Sequence, residues 1–308
     1  MLIKTLGKIG LFALGALALV SQSCSTSNNE QKLQKLGKTN NDASNGGIES
    51  QDLNILAFGD WGTGTPSQFE HAKGLEKHCK AEKCDFGLML GDNFYPAGVK
   101  SVNDPFFKER FEDVYGPLGI PFYVVLGNHD YGVILKQGNP QAQVDYTKKS
   151  NFWKMPSKYY SFVQGDTTFI GLDTEKFTIE QIDWLDKTIS TAKTKWKIVM
   201  GHHPIRSYGQ HGDTPYLVEG LLPRLCNKVD LYLAGHDHDM QALKDPCGLN
   251  MIVSGAASKL RDVNKGALSK FAVSEPGFAK LQITDNQIDV RFISTTNDRD
   301  LYRFSVTK

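Results

Sequence analysis

Short apolar runs recur along this 308-residue chain, and five of them are closed by a glycine that a polar residue follows. Each run is four to six residues long, which is typical of a buried β-strand bounded by a turn. The pattern therefore predicts five buried strands. They span residues 53–58, 86–90, 122–126, 197–200 and 230–233.

Apolar residues at helical spacing separate most of these strands. Thr178 and Gln181 fit a capping box, and Asp104 is a candidate N-terminal residue for another helix. The polar stretch 131–149 has few periodic apolar residues and is interpreted as a surface loop. Helices are predicted at 67–83, 104–114, 178–189 and 215–226.

The order of these elements predicts an α/β fold, because strands that alternate with helices favour a central sheet with helices outside it. Residues 159–163 and 168–172 resemble an antiparallel pair. The last part of the chain alternates in the same way over 279–283, 288–293 and 301–306. These antiparallel segments favour two packed mixed β-sheets flanked by helices over one doubly wound parallel sheet.

The first fifty residues differ from the rest in composition. Lys4 and Lys8 precede an apolar run, 9–20, which is too short for a comfortable membrane span. Cys24 then follows a small residue, as in a bacterial lipoprotein cleavage site, although Ser21 stands where Leu is usual. A cleaved signal without lipid and a retained membrane anchor are the alternatives.

We therefore predict a lipoprotein-type signal peptide at 1–24 with a lipidated Cys24, a disordered linker at 25–51 and a folded domain at 52–308. The linker is rich in Ser, Asn, Gln, Lys and Gly, so it cannot bury enough apolar surface to offset its ordering entropy. The predicted location is the bacterial cell envelope, on the periplasmic or the outer surface.

Charge and cysteine usage restrict the function further. The formal net charge is +1, so no strong global field favours nucleic acid or anionic lipid. Export implies an oxidising compartment, where four remaining cysteines can form disulfides in three pairings. Short range favours Cys79–Cys84 and Cys226–Cys247, and zinc binding by these thiols is the weaker alternative.

Each of the five closing glycines precedes a side chain that can bind a metal ion. Taken singly, a Gly-Asp pair is a common turn and a histidine pair can be structural. Five such strand ends in one chain favour a shared site, because open α/β sheets bind ligands at the carboxyl ends of their strands. The five residues are Asp60, Asp92, Asn128, His202 and His236.

The residue types suit a pair of metal ions. Carboxylate and phenolate oxygens suit a hard, highly charged cation, whereas imidazole and amide groups suit a divalent ion. One central carboxylate can bridge two ions through one or both of its oxygens. Two ions about 3.5–4 Å apart can clamp the oxygens of an in-line phosphoryl displacement and lower the pKa of a shared water.

Together the strand-end motifs resemble those of the calcineurin-like metallophosphoesterase superfamily, and within it the purple acid phosphatases of the small, tartrate-resistant type. Tyr95 is the narrowest marker, because most metallophosphoesterases have a histidine-type donor there. The resemblance implies a four-layer α/β/β/α sandwich and makes 52–308 a metallophosphoesterase catalytic domain. The motifs are Gly-Asp-Trp-Gly at 59–62, Gly-Asp-Asn-Phe-Tyr at 91–95, Gly-Asn-His-Asp at 127–130, Gly-His-His-Pro at 201–204 and Gly-His-Asp-His at 235–238.

Carried onto this sequence, the resemblance implies two metal sites that share Asp92. His129 and His211 match histidines that orient the phosphate or protonate the leaving alkoxide. The implied ligands of a ferric ion are Asp60, Asp92, Tyr95 and His238. The implied ligands of a divalent iron, zinc or manganese ion are Asp92, Asn128, His202 and His236.

The resemblance thus implies a binuclear-metal acid phosphatase that hydrolyses phosphate monoesters by attack of a metal-bound hydroxide. Two alternatives stay open: a metallophosphodiesterase or nucleotide pyrophosphatase on the same fold, and a non-catalytic surface lipoprotein that binds phosphate or metal. The expected partners are small phosphomonoesters. We expect a monomer whose only membrane contact is the lipid anchor at Cys24.

Overall fold

The computed structural model describes residues 52–133 and 137–308, so the predicted signal peptide and linker lie outside the described residues. Two seven-stranded sheets carry this part of the chain, and no helix in it is both long and apolar enough to cross a membrane. All five predicted buried strands are confirmed to within two residues at each end.

The first sheet has the strand order β14-β13-β12-β1-β2-β3-β4. Neighbouring strands among β1, β2, β3 and β4 pair in parallel. Three antiparallel ladders join β1 to β12, β12 to β13 and β13 to β14. The sheet is therefore mixed, as predicted. Its strands are β1 (Leu53–Phe58), β2 (Phe86–Met89), β3 (Phe122–Val124), β4 (Trp153–Lys154), β12 (Gly277–Ile283), β13 (Gln287–Ser294) and β14 (Asp300–Thr307).

The second sheet has the order β11-β9-β10-β8-β7-β6-β5 and is also mixed. Its centre, β10-β8-β7-β6, is parallel, and β9, β11 and β5 are antiparallel additions. Its strands are β5 (Tyr160–Gln164), β6 (Thr167–Gly171), β7 (Trp196–Met200), β8 (Leu231–Ala234), β9 (Met240–Lys244), β10 (Asn250–Ser254) and β11 (Ser269–Val273).

Alternating side chains of the second sheet enter two different hydrophobic cores. In β7, Ile198 belongs to the core that also contains Leu88 of the first sheet, while Val199 faces a second core with Leu185 of a helix. Because successive strand residues point to opposite faces, one sheet separates two cores. The two packed sheets with outer helices confirm the predicted α/β layer arrangement.

The helices occupy the connections between strands. Ala72 and Leu75 of α1 join the core of the first sheet, and Leu185 and Ile189 of α5 join the outer core of the second. The α-helices are α1 (Pro66–Ala81), α2 (Asp113–Tyr115), α3 (Asn128–Tyr131), α4 (Pro140–Tyr146), α5 (Ile179–Thr191), α6 (Pro215–Gly220) and α7 (Leu222–Leu225), with a π-helix at Phe107–Glu112 and a 3-10 turn at Gly116–Leu118.

Two local predictions were wrong in part. The stretch 131–149 is not all loop, because α4 lies within it and the Asn139 side chain accepts a hydrogen bond from the Ala142 amide at 3.2 Å. The capping box at α5 is half formed. Thr178 Oγ1 accepts from the Gln181 amide, as predicted. The Gln181 side chain does not return to Thr178, because its Oε1 accepts from the Asp173 amide and its Nε2 donates to the Asp173 carbonyl.

The favoured cysteine pairing is confirmed. Disulfides join Cys79 to Cys84 and Cys226 to Cys247. Both thiol pairs are thereby used, which excludes the zinc-binding alternative at these positions. The first disulfide closes the loop after α1, and the second ties the end of α7 to the β9–β10 turn.

A buried histidine on α1 should make the fold sensitive to acid. His71 is 1% exposed, its Nε2 donates to the Gly277 carbonyl at 3.1 Å, and burial lowers its pKa to about 4. The unfolded chain therefore binds a proton there between pH 6.5 and 4 that the folded chain does not. Stability should fall by up to about 3 kcal/mol as pH falls through this window.

Urea unfolding of wild type and His71→Gln at pH 7 and pH 4 tests this prediction, since the Gln amide can still donate to Gly277. The variant should lose clearly less stability on acidification. His78→Gln should change the pH dependence less, because His78 has the Asp298 carboxylate at 2.8 Å to offset its buried charge. Equal acid sensitivity in wild type and His71→Gln would contradict the assignment.

Candidate metal centre

The five strand ends converge at one edge of the two sheets. Asp60, Asp92 and Asn128 follow β1, β2 and β3, and His202 and His236 follow β7 and β8. Two contacts join the sheets there. The His236 amide donates to Asp60 Oδ2 at 2.8 Å, and His202 Nδ1 donates to the Leu90 carbonyl at 2.9 Å.

The backbone is strained at three of these strand ends. Asp60, Asp92 and His236 have φ values of 60°, 52° and 69°, in the left-handed region that non-glycine residues rarely adopt. Only two other non-glycine residues in the described part of the chain have a positive φ. Such strain persists where the surroundings hold it, and it clusters at functional sites.

One half of the cluster is built around the Tyr95 hydroxyl. Tyr95 Oη lies 3.2 Å from Asp60 Oδ1, 2.9 Å from Asp92 Oδ2 and 3.2 Å from His238 Nε2. His238 Nε2 lies 3.5 Å from Asp60 Oδ1. All four side chains are at most 5% exposed. The structure therefore brings together the four residues predicted for the ferric site.

The other half lies on the opposite oxygen of Asp92. Asp92 Oδ1 is 3.4 Å from His202 Nε2, which is 3.1 Å from both Asn128 Oδ1 and His236 Nδ1. Because His202 Nδ1 carries the proton given to Leu90, Nε2 of the neutral ring is an acceptor. Acceptor atoms of Asp92, Asn128 and His202 thus face one another, an arrangement that a cation satisfies.

The pKa shifts of the clustered side chains also favour a bound cation. Burial raises the pKa of Asp60 well above its usual value, and burial with the two neighbouring carboxylates raises the pKa of Tyr95. Burial, followed by the neighbouring histidines, lowers the pKa of His236. Without a cation, then, Asp60 and Tyr95 resist ionisation and His236 resists protonation. The pKa of Asp92 is lowered despite its burial, because nearby histidines stabilise its charged form. A bound cation would favour the charged forms of Asp60 and Tyr95 as well, because it pairs with them.

His129 and His211 lie on the open side of the cluster. The His129 amide donates to Asp92 Oδ1 at 2.9 Å, and its Nδ1 donates to the Pro96 carbonyl at 2.6 Å. The His211 amide donates to Asp237 Oδ1 at 2.8 Å, and its ring lies 4.2 Å from that of His236. Both predicted histidines therefore border the cluster.

Neighbouring polar residues of the motifs point elsewhere. His203 Nδ1 contacts Thr174 Oγ1 at 2.9 Å, and Asp237 accepts from Ser207 Oγ as well as from the His211 amide. His203 is therefore held beside the cluster by Thr174, and Asp237 fixes the loop that carries His211.

Three residues near the cluster were missed in the sequence. Asp130 is fully buried and accepts from the amides of Asn93, Phe94 and Gly127, so it holds the second and third strand-end loops together. Its position in the 127–130 motif, two residues after Asn128, could have indicated a role at the site. Lys259 and Arg261 lie in a segment without periodicity, and nothing local indicated their position.

Comparison with known proteins identifies a clear set of relatives. The Calcineurin-like phosphoesterase family model matches residues 53–240. The chain is 34% identical to tartrate-resistant acid phosphatase type 5 of Sus scrofa over 79% of its own length and 84% of that protein. It is 36% identical to purple acid phosphatase 7 of Arabidopsis thaliana, over 67% of this chain and 70% of that one.

Solved structures agree on the fold. GAP50, described as the anchor in the inner membrane complex of Plasmodium, superposes with a TM-score of 0.73 at 30% identity, covering 83% of this chain and 89% of that one. Purple acid phosphatase PPD1 from yellow lupin superposes with a TM-score of 0.67 at 18% identity, covering 84% and 54%. The second likeness bears on the fold alone.

Proposed function

Because the chain belongs to the calcineurin-like phosphoesterase family, and within it to the tartrate-resistant and purple acid phosphatases, we propose that it is a binuclear-metal acid phosphatase acting on phosphate monoesters. The observation that carries the proposal is the position of Asp92. One of its oxygens faces Tyr95 and the other faces His202, so a single carboxylate lies between two groups of ligand atoms.

We propose that the two groups hold two ions. Asp60, Asp92, Tyr95 and His238 would hold a ferric ion, because three oxygen donors including a phenol suit a hard cation. Asp92, Asn128, His202 and His236 would hold a divalent iron, zinc or manganese ion. When bound, the ions would supply Lewis-acid polarisation of the phosphate and acidification of a water.

The remaining residues position the phosphate and move a proton. His129 Nδ1 donates to the Pro96 carbonyl, so a proton for the departing alkoxide would come from Nε2 of the doubly protonated ring, which is left neutral. Arg261 Nη1 lies 2.6 Å from His211 Nε2, and since guanidinium only donates, the His211 proton sits on Nδ1. His211 can then donate from Nδ1 to a phosphate oxygen.

Replacing His129 should test its role as the proton donor. His129→Ala should lower turnover of alkyl phosphates by roughly 10²–10⁴-fold, because an alkoxide leaves poorly without a proton. An activated aryl phosphate, whose leaving group needs little protonation, serves as the internal control and should lose much less. Equal losses on both ester types would contradict the general-acid role.

The function itself is tested by elemental analysis, a visible spectrum and a matched pair of aryl esters. We expect two metal ions per chain, a colour from phenolate-to-iron charge transfer at Tyr95, and faster hydrolysis of p-nitrophenyl phosphate than of bis(p-nitrophenyl) phosphate. Faster diester cleavage would support the phosphodiesterase alternative. Metal-loaded protein without hydrolysis would support a binding protein instead.

We also propose that the chain is exported and anchored by a lipid on Cys24, with a signal peptide at 1–24, a tether at 25–51 and a monomeric catalytic domain at 52–308. Two disulfides in the described part of the chain support an oxidising compartment. Expressed in a bacterial host, wild type should take up labelled fatty acid and partition with membranes. Cys24→Ser should do neither, and a labelled variant would contradict the anchor.

A further inference from the structure

A cavity of about 920 Å³ lies beside the candidate metal centre. The beginning of α1, from Pro66 to His71, and the segment 256–261 line it. Pro276 and the turn at 295–296 complete the lining. A volume of this size is in the range of small-molecule sites in proteins, roughly 300–1,000 Å³.

The segment 256–261 belongs to the metal centre and the cavity at once. Ser258 Oγ donates to the Asp60 carbonyl, and the Arg261 amide donates to the His238 carbonyl at 3.0 Å. Both partners are proposed metal ligands, so this segment is fixed relative to the cluster. A phosphate at the cluster would have the cavity next to it.

Two cations of this segment lie on the boundary between cluster and cavity. Lys259 Nζ lies 4.7 Å from the centre of the Tyr95 ring, and Arg261 Nη1 contacts His211 Nε2. Within residues 52–133 and 137–308, neither cation forms an ion pair with a carboxylate. Glu70, which also lines the cavity, is paired with Lys73 at 2.7 Å. The boundary therefore carries two positive charges that no ion pair within the described residues neutralises.

The lining combines hydroxyl groups with apolar surface. Ser67, Thr295 and Thr296 contribute side-chain hydroxyls, which can donate or accept hydrogen bonds. Ala256 and Pro276 contribute apolar surface. A hydroxylated carbon chain fits both features.

We propose that this cavity binds the organic part of the substrate, and that Lys259 and Arg261 hold a second anionic group on it. The preferred substrates are then phosphomonoesters of hydroxylated alcohols that carry a further phosphate or carboxylate. The inference rests on the proposed phosphatase function and names the substrate class of the same site. Lys259 and Arg261 act as specificity-determining residues that need not touch the phosphate being cleaved.

The experiment compares two substrates with the same reacting end, a hexitol phosphorylated at both ends and the matching hexitol monophosphate. For the full-length, metal-loaded protein, kcat/KM should be roughly ten-fold or more higher for the bisphosphate, after correction for its two reactive ends. Lys259→Met and Arg261→Met should each move this ratio towards one. Lys259→Arg keeps the positive charge and should therefore keep the wild-type ratio.

The control is Lys270→Met, which removes one positive charge from an exposed position on β11 and should leave the ratio unchanged. A ratio near one in wild type, with good monoester turnover, would overturn the subsite but not the phosphatase function.

Equal losses on both substrates in Lys259→Met would show that this cation grips the reacting phosphate, which also overturns the proposal. Arg261→Met should lower turnover of both substrates as well, because Arg261 orients His211, so for this variant an unchanged ratio is the contradicting result. If wild type hydrolyses p-nitrophenyl phosphate but neither hexitol ester, the proposed substrate class is overturned and the phosphatase function stands. If it hydrolyses none of the three, both proposals are overturned.

Discussion

Asp92→Asn should abolish phosphomonoester turnover, with a loss of at least about 10³-fold, and should lower the content of both metal ions. The reason is that Asp92 uses both oxygens. Oδ2 lies 2.9 Å from Tyr95 Oη, while Oδ1 lies 3.4 Å from His202 Nε2 and accepts from the His129 amide at 2.9 Å. An asparagine has one oxygen and one NH₂ group, so it can serve only one half of the cluster.

Either orientation of that asparagine fails. If its NH₂ group faces the His129 amide, two donors meet and a proposed ligand oxygen of the divalent ion is lost. If it faces Tyr95, the ferric site loses an anionic oxygen that suits a hard cation. The carboxylate also carries a buried negative charge that two cations need, and the amide is neutral.

The measurements are kcat on p-nitrophenyl phosphate and metal content per chain. Asp285→Asn, at an exposed turn between β12 and β13, is the matched control and should keep wild-type values for both. Asp60→Asn should lower the content of the ferric ion more than that of the divalent ion, because Asp60 Oδ1 faces Tyr95 and His238. Asp60 Oδ2 only accepts from the His236 amide, and an asparagine oxygen can still do so. A fully metal-loaded, active Asp92→Asn protein would contradict the shared-ligand arrangement.

The strand-end residues could be predicted from the sequence because each signal is local. An apolar run of four to six residues, a glycine and a polar residue specify a buried strand and its exit, and parallel strands bring their exits to one edge. Asp60, Asp92 and His202 were therefore placed correctly at strand ends without any knowledge of the ladder order. The mixed-sheet architecture followed from the antiparallel pairs alone.

The parts that sequence reasoning missed depend on distant contacts. Helix α4 has few apolar residues, and two long-range hydrogen bonds help to fix it: the Gln143 side chain donates to Asp130, and Trp153 Nε1 donates to the Gln143 carbonyl. Gln181 leaves its capping partner because Asp173 offers it two backbone bonds. Hydrophobic periodicity is read over a short stretch of sequence, so it cannot indicate hydrogen-bond partners that lie far apart along the chain.

The polar residues between the ligands explain why the loops hold their strained conformations. Asp130 takes bonds from the second and third loops, and Asn93 Nδ2 donates to the Val125 carbonyl and to Gln143. The first loop is held differently. The Tyr95 amide donates to the Gly62 carbonyl at 3.0 Å, so the backbones of the first and second strand-end loops are in direct contact there.

Gly62→Ala should therefore disrupt both stability and activity. A Cβ at position 62 would lie 1.6 Å from the Asn93 carbonyl oxygen and 2.3 Å from its carbon, so the backbone must move rather than a flexible side chain. Overpacking of this kind costs more than about 3 kcal/mol when backbone cannot yield. A shift of the 91–95 loop would also displace Asp92 and Tyr95, and a misplacement near 1 Å can lower turnover by roughly 10²-fold.

Gly116→Ala is the matched control for this change. Its Cβ would meet nothing closer than a Phe152 ring carbon at 3.5 Å, and its φ of −54° is helical, so alanine should be neutral or slightly stabilising. Urea midpoints and kcat on p-nitrophenyl phosphate should both fall for Gly62→Ala and stay near wild type for Gly116→Ala. Wild-type values for Gly62→Ala would mean that the first two strand-end loops are free to separate, and the close contact that aligns Asp60 with Asp92 would lose its role.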